Sequence, residues 1–453
     1  MKTVAFLVLL VVAQPVRVSA QAQQPDSLRL TLDEALRIAR ATNPAYRQAA
    51  NQASLNATES RTTWFDQVLP RATLNLFGTN FYGNVRRRAQ DNFGNPIENP
   101  SADWVYFSET SQSLQLDWQI QGTSLFNTLD RQRLLNRSRT LAESRALTEL
   151  DVQVERAYWE ALEQEELRRA EEELLDAREV DLRVAERLFG LAMRTRVDIL
   201  RSELAIEQQR LTLGQQTASA ERAKLALRTL LGDDELPPFE LTATPIPTFD
   251  PSGLSVAPLV DRARGENLEL RQAGVAVESA RVEVSDSNRR WWPTLFANYN
   301  VTRRAQTPEG RALFDFTPDE PLDHRFFVGL QVPAFTNYFG NRQASARASV
   351  ALDNASEAER ETRLRVEETV RGALLELESQ WEALAVAERA GEIASEALEL
   401  AREEYRLGTR TFEALRQSID EEAATRRQLI QSRYAFADAL LDLEEAVGAR
   451  IRD

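Results

Sequence analysis

The 453-residue sequence contains no cysteine, one histidine and two methionines. Without cysteine there is no thiolate nucleophile, disulfide, zinc ribbon, iron–sulfur centre or acylated lipoprotein terminus. With His324 alone, a Ser-His-Asp triad can be built once at most, and metal sites that need two histidines are excluded. Basic side chains are in deficit as well: 55 Lys and Arg stand against 70 Asp and Glu, for a net charge of −15. That balance argues against a duplex-DNA partner. No glycine-rich phosphate cradle occurs, and the carboxylate pairs on helical stretches have no recognisable pocket around them. A non-catalytic protein without cofactor or metal is the expectation.

What is present begins with an export signal. Met1-Lys2 gives a short positive start, residues 4–12 are uninterruptedly apolar, and Val18-Ser19-Ala20 supplies small residues for a signal peptidase. The run is too short to span a bilayer as a helix, so cleavage near Ala20 is expected. Loss of Lys2 and Arg17 leaves the mature chain still more acidic.

The remainder is one pattern written twice. Thr42-Asn43-Pro44-Ala45-Tyr46-Arg47-Gln48-Ala49 has a counterpart in Glu266-Asn267-Leu268-Glu269-Leu270-Arg271-Gln272-Ala273, and Leu69-Pro70-Arg71 answers to Trp292-Pro293-Thr294 at nearly the same separation. Residues 233–258 carry Pro237, Pro238, Pro245, Pro247, Pro251 and Pro258, which rules out a long helix there and marks a linker or equatorial segment. The expected division is 21–232 and 259–453, each reading helix, β-hairpin (69–121 and 293–335) and two very long helices. Residues 124–189 hold neither Gly nor Pro, and 341–407 hold no Pro. At 1.5 Å per residue either stretch makes a rod of roughly 100 Å. The charge density of Glu165-Glu166 and Arg168-Arg169 excludes a lipid environment, so coiled-coil-like packing in water remains.

Residues 111–121 alternate almost without error. Leu114, Leu116, Trp118 and Ile120 fall on one face, with Ser113, Gln115, Asp117 and Gln119 on the other. In the second half Phe326, Val328, Leu330 and Val332 share a face, while Arg325, Phe327, Gly329 and Gln331 form a less polar opposite face; near Pro70, Phe77 breaks phase. About ten alternating residues fit a transmembrane β-strand with a wet interior, and equally a soluble sheet with one buried face. Trp64, Trp291 and Trp292 lie where helix hands over to strand and, with Trp118, suit a membrane interface or a helix-on-sheet core. In lipid, four strands per chain cannot close, so the barrel would have to be shared. Two chains give eight strands and three give twelve; the pattern alone does not choose.

Thr31-Leu32-Asp33-Glu34-Ala35-Leu36-Arg37-Ile38-Ala39 followed by Asn43-Pro44, the strand Val328-Gly329-Leu330-Gln331-Val332-Pro333-Ala334-Phe335, and the turn Glu404-Tyr405-Arg406-Leu407-Gly408-Thr409-Arg410-Thr411 together resemble the TolC-like outer-membrane efflux proteins. The resemblance spans the mature chain in the right order. It implies a mainly α fold with a small β part: long helical hairpins forming a trimeric α-barrel, and four strands per chain in a shared twelve-stranded transmembrane barrel. It also implies a homotrimer in outer-membrane lipid or lipopolysaccharide with a large periplasmic part, acting as a passive duct for an inner-membrane transporter and its periplasmic adaptor. A wholly periplasmic coiled-coil adaptor or scaffold is the alternative.

The same resemblance places a gate just past the tip turns. Arg196-Val197-Asp198-Ile199-Leu200 matches that motif, with Ala192 in the usual glycine position; in the second half Gly408 is present and Thr411-Phe412-Glu413-Ala414-Leu415 follows with one residue fewer. Asp198, Glu413 and Asp420 are therefore candidate gate acids, and as solvated helix carboxylates they would need no such role. Candidate adaptor-docking residues are Leu191, Arg194, Arg196, Leu407, Gly408, Arg410 and Phe412, with Leu191, Met193, Leu407 and Phe412 expected to be exposed apolar side chains. His324 is expected in a loop end before a strand.

Overall fold

A computed structural model describes residues 28–451 apart from 88–89, 91–93, 99–101, 122–123, 192–194, 247, 309–320 and 333–337. The export signal, Met193, Arg194 and Pro333-Ala334-Phe335 lie outside the described residues.

In chain order the elements are β1 (Leu28–Leu30), α1 (Leu32–Thr42), α2 (Pro44–Val68), β2 (Arg71–Arg87), β3 (Ala102–Gln121), α3 (Ser124–Gly190) and α4 (Arg196–Leu231). There follow β4 (Phe239–Leu241), α5 (Val256–Glu266), α6 (Leu268–Arg289), β5 (Thr294–Pro308), β6 (Leu322–Gln331), α7 (Tyr338–Arg406) and α8 (Phe412–Val447). The two long helices hold 67 and 69 residues, and their followers 36 each, so only one of each expected pair of very long helices is of that length.

The opening helix of each half is broken in two, because Asn43 and Asn267 act as N-caps. Asn43 Oδ1 accepts from Tyr46 N at 3.0 Å, and Asn267 Oδ1 from Leu270 N at 3.1 Å. Upstream, Thr31 and Glu34 close a capping box on α1.

The core is divided between the two halves. One buried cluster gathers Leu30, Leu36, Val154, Tyr158, Leu227 and Leu441. A second gathers Val260, Val370, Leu377, Phe436, Leu440 and Leu443. Tyr158 fastens the equator: its fully buried hydroxyl lies 2.9 Å from the Leu30 carbonyl and 2.7 Å from that of Thr242. It thereby holds the parallel β1–β4 pair against α3. The proline-rich segment is thus partly ordered as β4 and joined back to the chain's start.

The four long strands form one sheet in the order β2-β3-β5-β6, antiparallel throughout and open at β2 and β6. Its registers align the apolar positions into rows: Ala72, Leu116, Tyr299 and Phe326, then Leu74, Leu114, Val301 and His324. The other face carries Thr73, Gln115, Asn300 and Arg325 in one row, and Arg71, Asp117, Asn298 and Phe327 in the next. Between Asn75 and Gly78 the register slips, so that Leu76 and Phe77 oppose Gln112 alone. This β-bulge is why Phe77 is out of phase. His324 is inside β6, not in a loop; its Nδ1 is 3.0 Å from the Tyr299 hydroxyl, and the two rings stack.

Candidate functional site: helix tips and open edges

At the end away from the sheet, α3 and α4 are joined through 191–195, and α7 and α8 through 407–411. Both connections hold five residues, so the second is not shorter, and Thr195 and Thr411 are equivalent N-caps. Asp198 is then the third helical residue and Glu413 the second, which makes Ala414 the counterpart of Asp198.

Asp198 is engaged locally. Its Oδ2 accepts from Thr195 N at 3.1 Å and Thr195 Oγ1 at 3.0 Å, closing a capping box. Glu413 is exposed and accepts from Arg416 Nη2 at 2.5 Å, with Arg201 at 3.8 Å. Arg416, and to a lesser degree Arg201, hold its carboxyl below the usual range. Asp420 accepts from Arg178 Nη2 at 3.0 Å and lies 3.8 Å from Arg416. Each candidate gate acid therefore has a partner in its own chain, and Arg416 is shared by two of them.

The second tip is closed by its own chemistry. Gly408 has φ +81°, and Thr409 N donates to the Glu404 carbonyl at 3.0 Å. Arg410 reaches back to Glu404 Oε2 at 3.0 Å and to Ser418 Oγ at 3.3 Å. Phe412 is buried, contrary to the expectation of an exposed apolar residue, because its ring packs edge-on against Tyr405 beside Leu415 and Leu188. Leu191 and Leu407 are exposed as expected, and Arg196 is exposed beside them.

Farther up, α3 packs between α4 and α8, and α8 packs on α7, which leaves α4 and α7 at the flanks. The α3–α8 joint is a ladder of ion pairs. Arg156 meets Asp438 and Asp442, Glu166 meets Arg433, Glu171 meets Arg427, Glu173 meets Arg426, and Arg178 meets Asp420. Two rungs also reach α4: Gln209 donates to Glu171 Oε2 at 2.6 Å, and Arg178 Nη1 donates to the Ala205 carbonyl at 3.1 Å.

The outer flanks differ in kind. Val197, Leu204, Leu211, Ala218 and Leu225 recur every seven residues along α4, and all are exposed. On α7, Val386, Ile393 and Leu400, with Leu407 one residue past its end, do the same, each more than half exposed. Sequence reasoning missed both seams, although a strict heptad search would have found them.

Residues 259–449 match the family model described as Outer membrane efflux protein. Among curated proteins none matches the sequence. Solved structures of outer membrane channels share its fold along nearly the whole length. OprN, an outer-membrane channel, superposes with a TM-score of 0.74 at 16% identity, covering 93% of this chain and 91% of its own. The Campylobacter jejuni CmeC channel gives 0.73 at 15%, covering 92% and 85%. The Neisseria gonorrhoeae MtrE channel in its open state gives 0.71 at 18%, covering 92% and 89%. Among the described residues no helix is long and apolar enough to cross a membrane, and no group of three or more His, Asp or Glu could hold a metal ion.

Each of the four junctions between a helix and the four-stranded sheet carries exposed aromatic rings. Trp64 and Phe65 end α2, Phe126 lies in the first turn of α3, Trp292 follows α6, and Tyr338 and Phe339 open α7. Trp291 packs edge-on against Tyr338 with centroids 5.3 Å apart. Trp118, by contrast, is half-buried within β3 beside Ala297. Phe126, Tyr338 and Phe339 escaped the sequence reading because no strand-ending motif flagged the start of α3 or α7.

Proposed function

We propose that three copies of this chain close head to tail into an export duct. Four strands per copy form a shared twelve-stranded barrel in the outer membrane, and the long helices form a tunnel across the periplasm. The observation that carries this reading is the pair of unsatisfied edges. β2 and β6 leave backbone donors and acceptors unpaired, which in lipid costs several kcal/mol per group. The α4 and α7 flanks leave their apolar heptads in water.

The joint within one chain supplies the template for the joint between chains. The equivalent caps align α4 with α8 and the end of α3 with the end of α7. Under that alignment Val197, Leu204, Leu211, Ala218 and Leu225 take the places of Glu413, Asp420, Arg427, Tyr434 and Leu441, the last four of which face α3. Val386, Ile393, Leu400 and Leu407 take those of Ala170, Ala177, Val184 and Leu191; the first two line a crevice with Ile419 and Ala423 of α8. So α7 of one copy meets α4 of the next, and β6 meets β2 as β3 meets β5. The interface is head-to-tail, and such interfaces close into rings when the rotation permits.

The duct serves a periplasmic adaptor and an inner-membrane transporter, which dock through Leu191, Arg194, Arg196, Leu407, Gly408 and Arg410, with Phe412 as buried support for the tip. Asp198, Glu413 and Asp420 set the charge of the entrance, where acid rings favour cations. Trp64, Trp291 and Trp292, with Phe126, Tyr338 and Phe339, form the inner-interface girdle. A soluble periplasmic adaptor fits less well, since it would leave the sheet's apolar rows and open edges uncovered.

The chain's lack of cysteine makes the test direct. The template places Ala394 of one copy beside Leu204 of the next, as Arg178 stands beside Asp420. A Leu204→Cys/Ala394→Cys variant treated with a short bis-maleimide in detergent should yield bands up to the trimer and no larger. Monomer alone, with either single variant equally unreactive to partners, would refute the ring.

A further inference from the structure

On the polar face of the sheet one apolar site is unaccounted for. The rows there read Gln121, Thr294 and Gln331, then Gln119, Phe296 and Gly329, then Arg71, Asp117, Asn298 and Phe327. Phe296 and Phe327 pack with ring centroids 5.5 Å apart and planes tilted by 36°. Gly329 makes the site possible: a Cβ there would stand 2.4 Å from Phe296 Cζ, so only glycine lets that ring lie across β6. Phe327 nevertheless remains 52% exposed. The pair therefore does more than cover a glycine, because covering Gly329 needs Phe296 alone.

We propose that Phe296 and Phe327 form an aromatic contact site for cargo inside the barrel, one per chain. It would bind the flat apolar or aromatic part of an amphiphilic molecule on its way through an otherwise polar lumen. The proposal rests on the duct reading, which puts this face toward the lumen and the Leu114–Val301 face toward lipid. Aromatic rings pair edge-on or offset with other rings, whereas the Gln, Asn and Thr side chains around this patch offer only hydrogen bonds. Gln119 lies directly across from Phe296, is exposed, and has Asp117 two residues away on its own strand. The site is thus an apolar island with a polar rim, the usual composition of a small-molecule contact surface.

The experiment uses the full-length protein in detergent with a single introduced cysteine. In the Gln119→Cys variant a membrane-impermeant maleimide should label the thiol, and in Leu330→Cys it should label far more slowly. Tetraphenylphosphonium should slow labelling of Gln119→Cys at least five-fold, while tetraethylammonium, of equal charge but without rings, should not. In a Gln119→Cys/Phe296→Asn/Phe327→Asn background that protection should vanish while the unprotected labelling rate stays comparable. Equal protection with and without the two phenylalanines, or no protection with both present, overturns the contact site and leaves the duct intact. Faster labelling of Leu330→Cys than of Gln119→Cys would instead overturn the assignment of faces, and with it the duct.

Discussion

Asn267 Nδ2 donates to the Ala446 carbonyl at 3.0 Å, two residues before Gly448, whose backbone lies so close that a Cβ would stand 3.1 Å from Asn267 Cα. The first half repeats the arrangement with Asn43 Nδ2, the Leu230 carbonyl at 2.8 Å, and Gly232. Each half is therefore latched where its last helix ends on the cap of its second. Gly232 and Gly448 have φ of +68° and +78°, where a side chain is strained. Gly448→Ala should cost about 1–3 kcal/mol from strain and contact together. Gly214→Ala, inside α4 with open space around it, should instead stabilise by about 0.5–1 kcal/mol. Thermal unfolding of the two variants, moving in opposite directions, checks the latch.

The apolar heptads predict where the proposed ring comes apart. Leu204 and Leu400 are exposed in the single chain, so Leu204→Glu or Leu400→Glu should leave its own fold intact. Each loses burial of a leucine in the seam, about 1.5–3 kcal/mol per site and three times over in a ring. Size-exclusion chromatography with light scattering should show monomer; persistence of wild-type trimer would rule out this seam.

Charge at the proposed entrance can be moved both ways. Arg416 neutralises Glu413 and approaches Asp420. Arg416→Ala should raise cation preference in planar bilayers, and Glu413→Ala should lower it. Unchanged reversal potentials in a salt gradient for both variants would remove these residues from the gate.

Docking is better tested at Leu191 than at Arg410. Arg410 holds Glu404 and Ser418, so Arg410→Glu would set two carboxylates together and disturb the turn itself. Leu191→Asp changes an exposed side chain and should weaken adaptor pull-down several-fold with the trimer preserved. Undiminished recovery would count against docking through this tip.

Glu163 gives a pH dependence. Burial, reinforced by Glu160, Asp438 and Glu166, pushes its carboxyl up to about 7. A carboxyl raised in the folded state favours folding below its ordinary range and loses that advantage as pH climbs toward 7. Glu163→Gln should therefore raise the melting temperature relative to wild type at pH 8, with the difference shrinking toward pH 5. A difference independent of pH would contradict the assignment.

Much of this architecture is legible in the sequence. The alternation from Leu114 to Ile120, the Gly- and Pro-free run into Phe189, and the twin Asn43 and Asn267 are local signals, and local backbone preference fixes the elements they mark. The tips were harder. That Phe412 turns inward depends on Tyr405 across the turn, a tertiary contact no spacing reveals. Asp198 could have been read as a cap, since Thr195-Arg196-Val197-Asp198 has the spacing of a capping box. The flank seams were overlooked for a different reason: a heptad on one helix looks like core until the structure shows that nothing in its own chain covers it.

The two flanks are not alike, and this bears on inheritance of damage. In the proposed ring, a subunit spoiled on α4 would still present a sound α7, so it would join a growing arc and then refuse the next comer. One defective allele would in this way sequester healthy siblings, and its harm would exceed its share of the expressed pool.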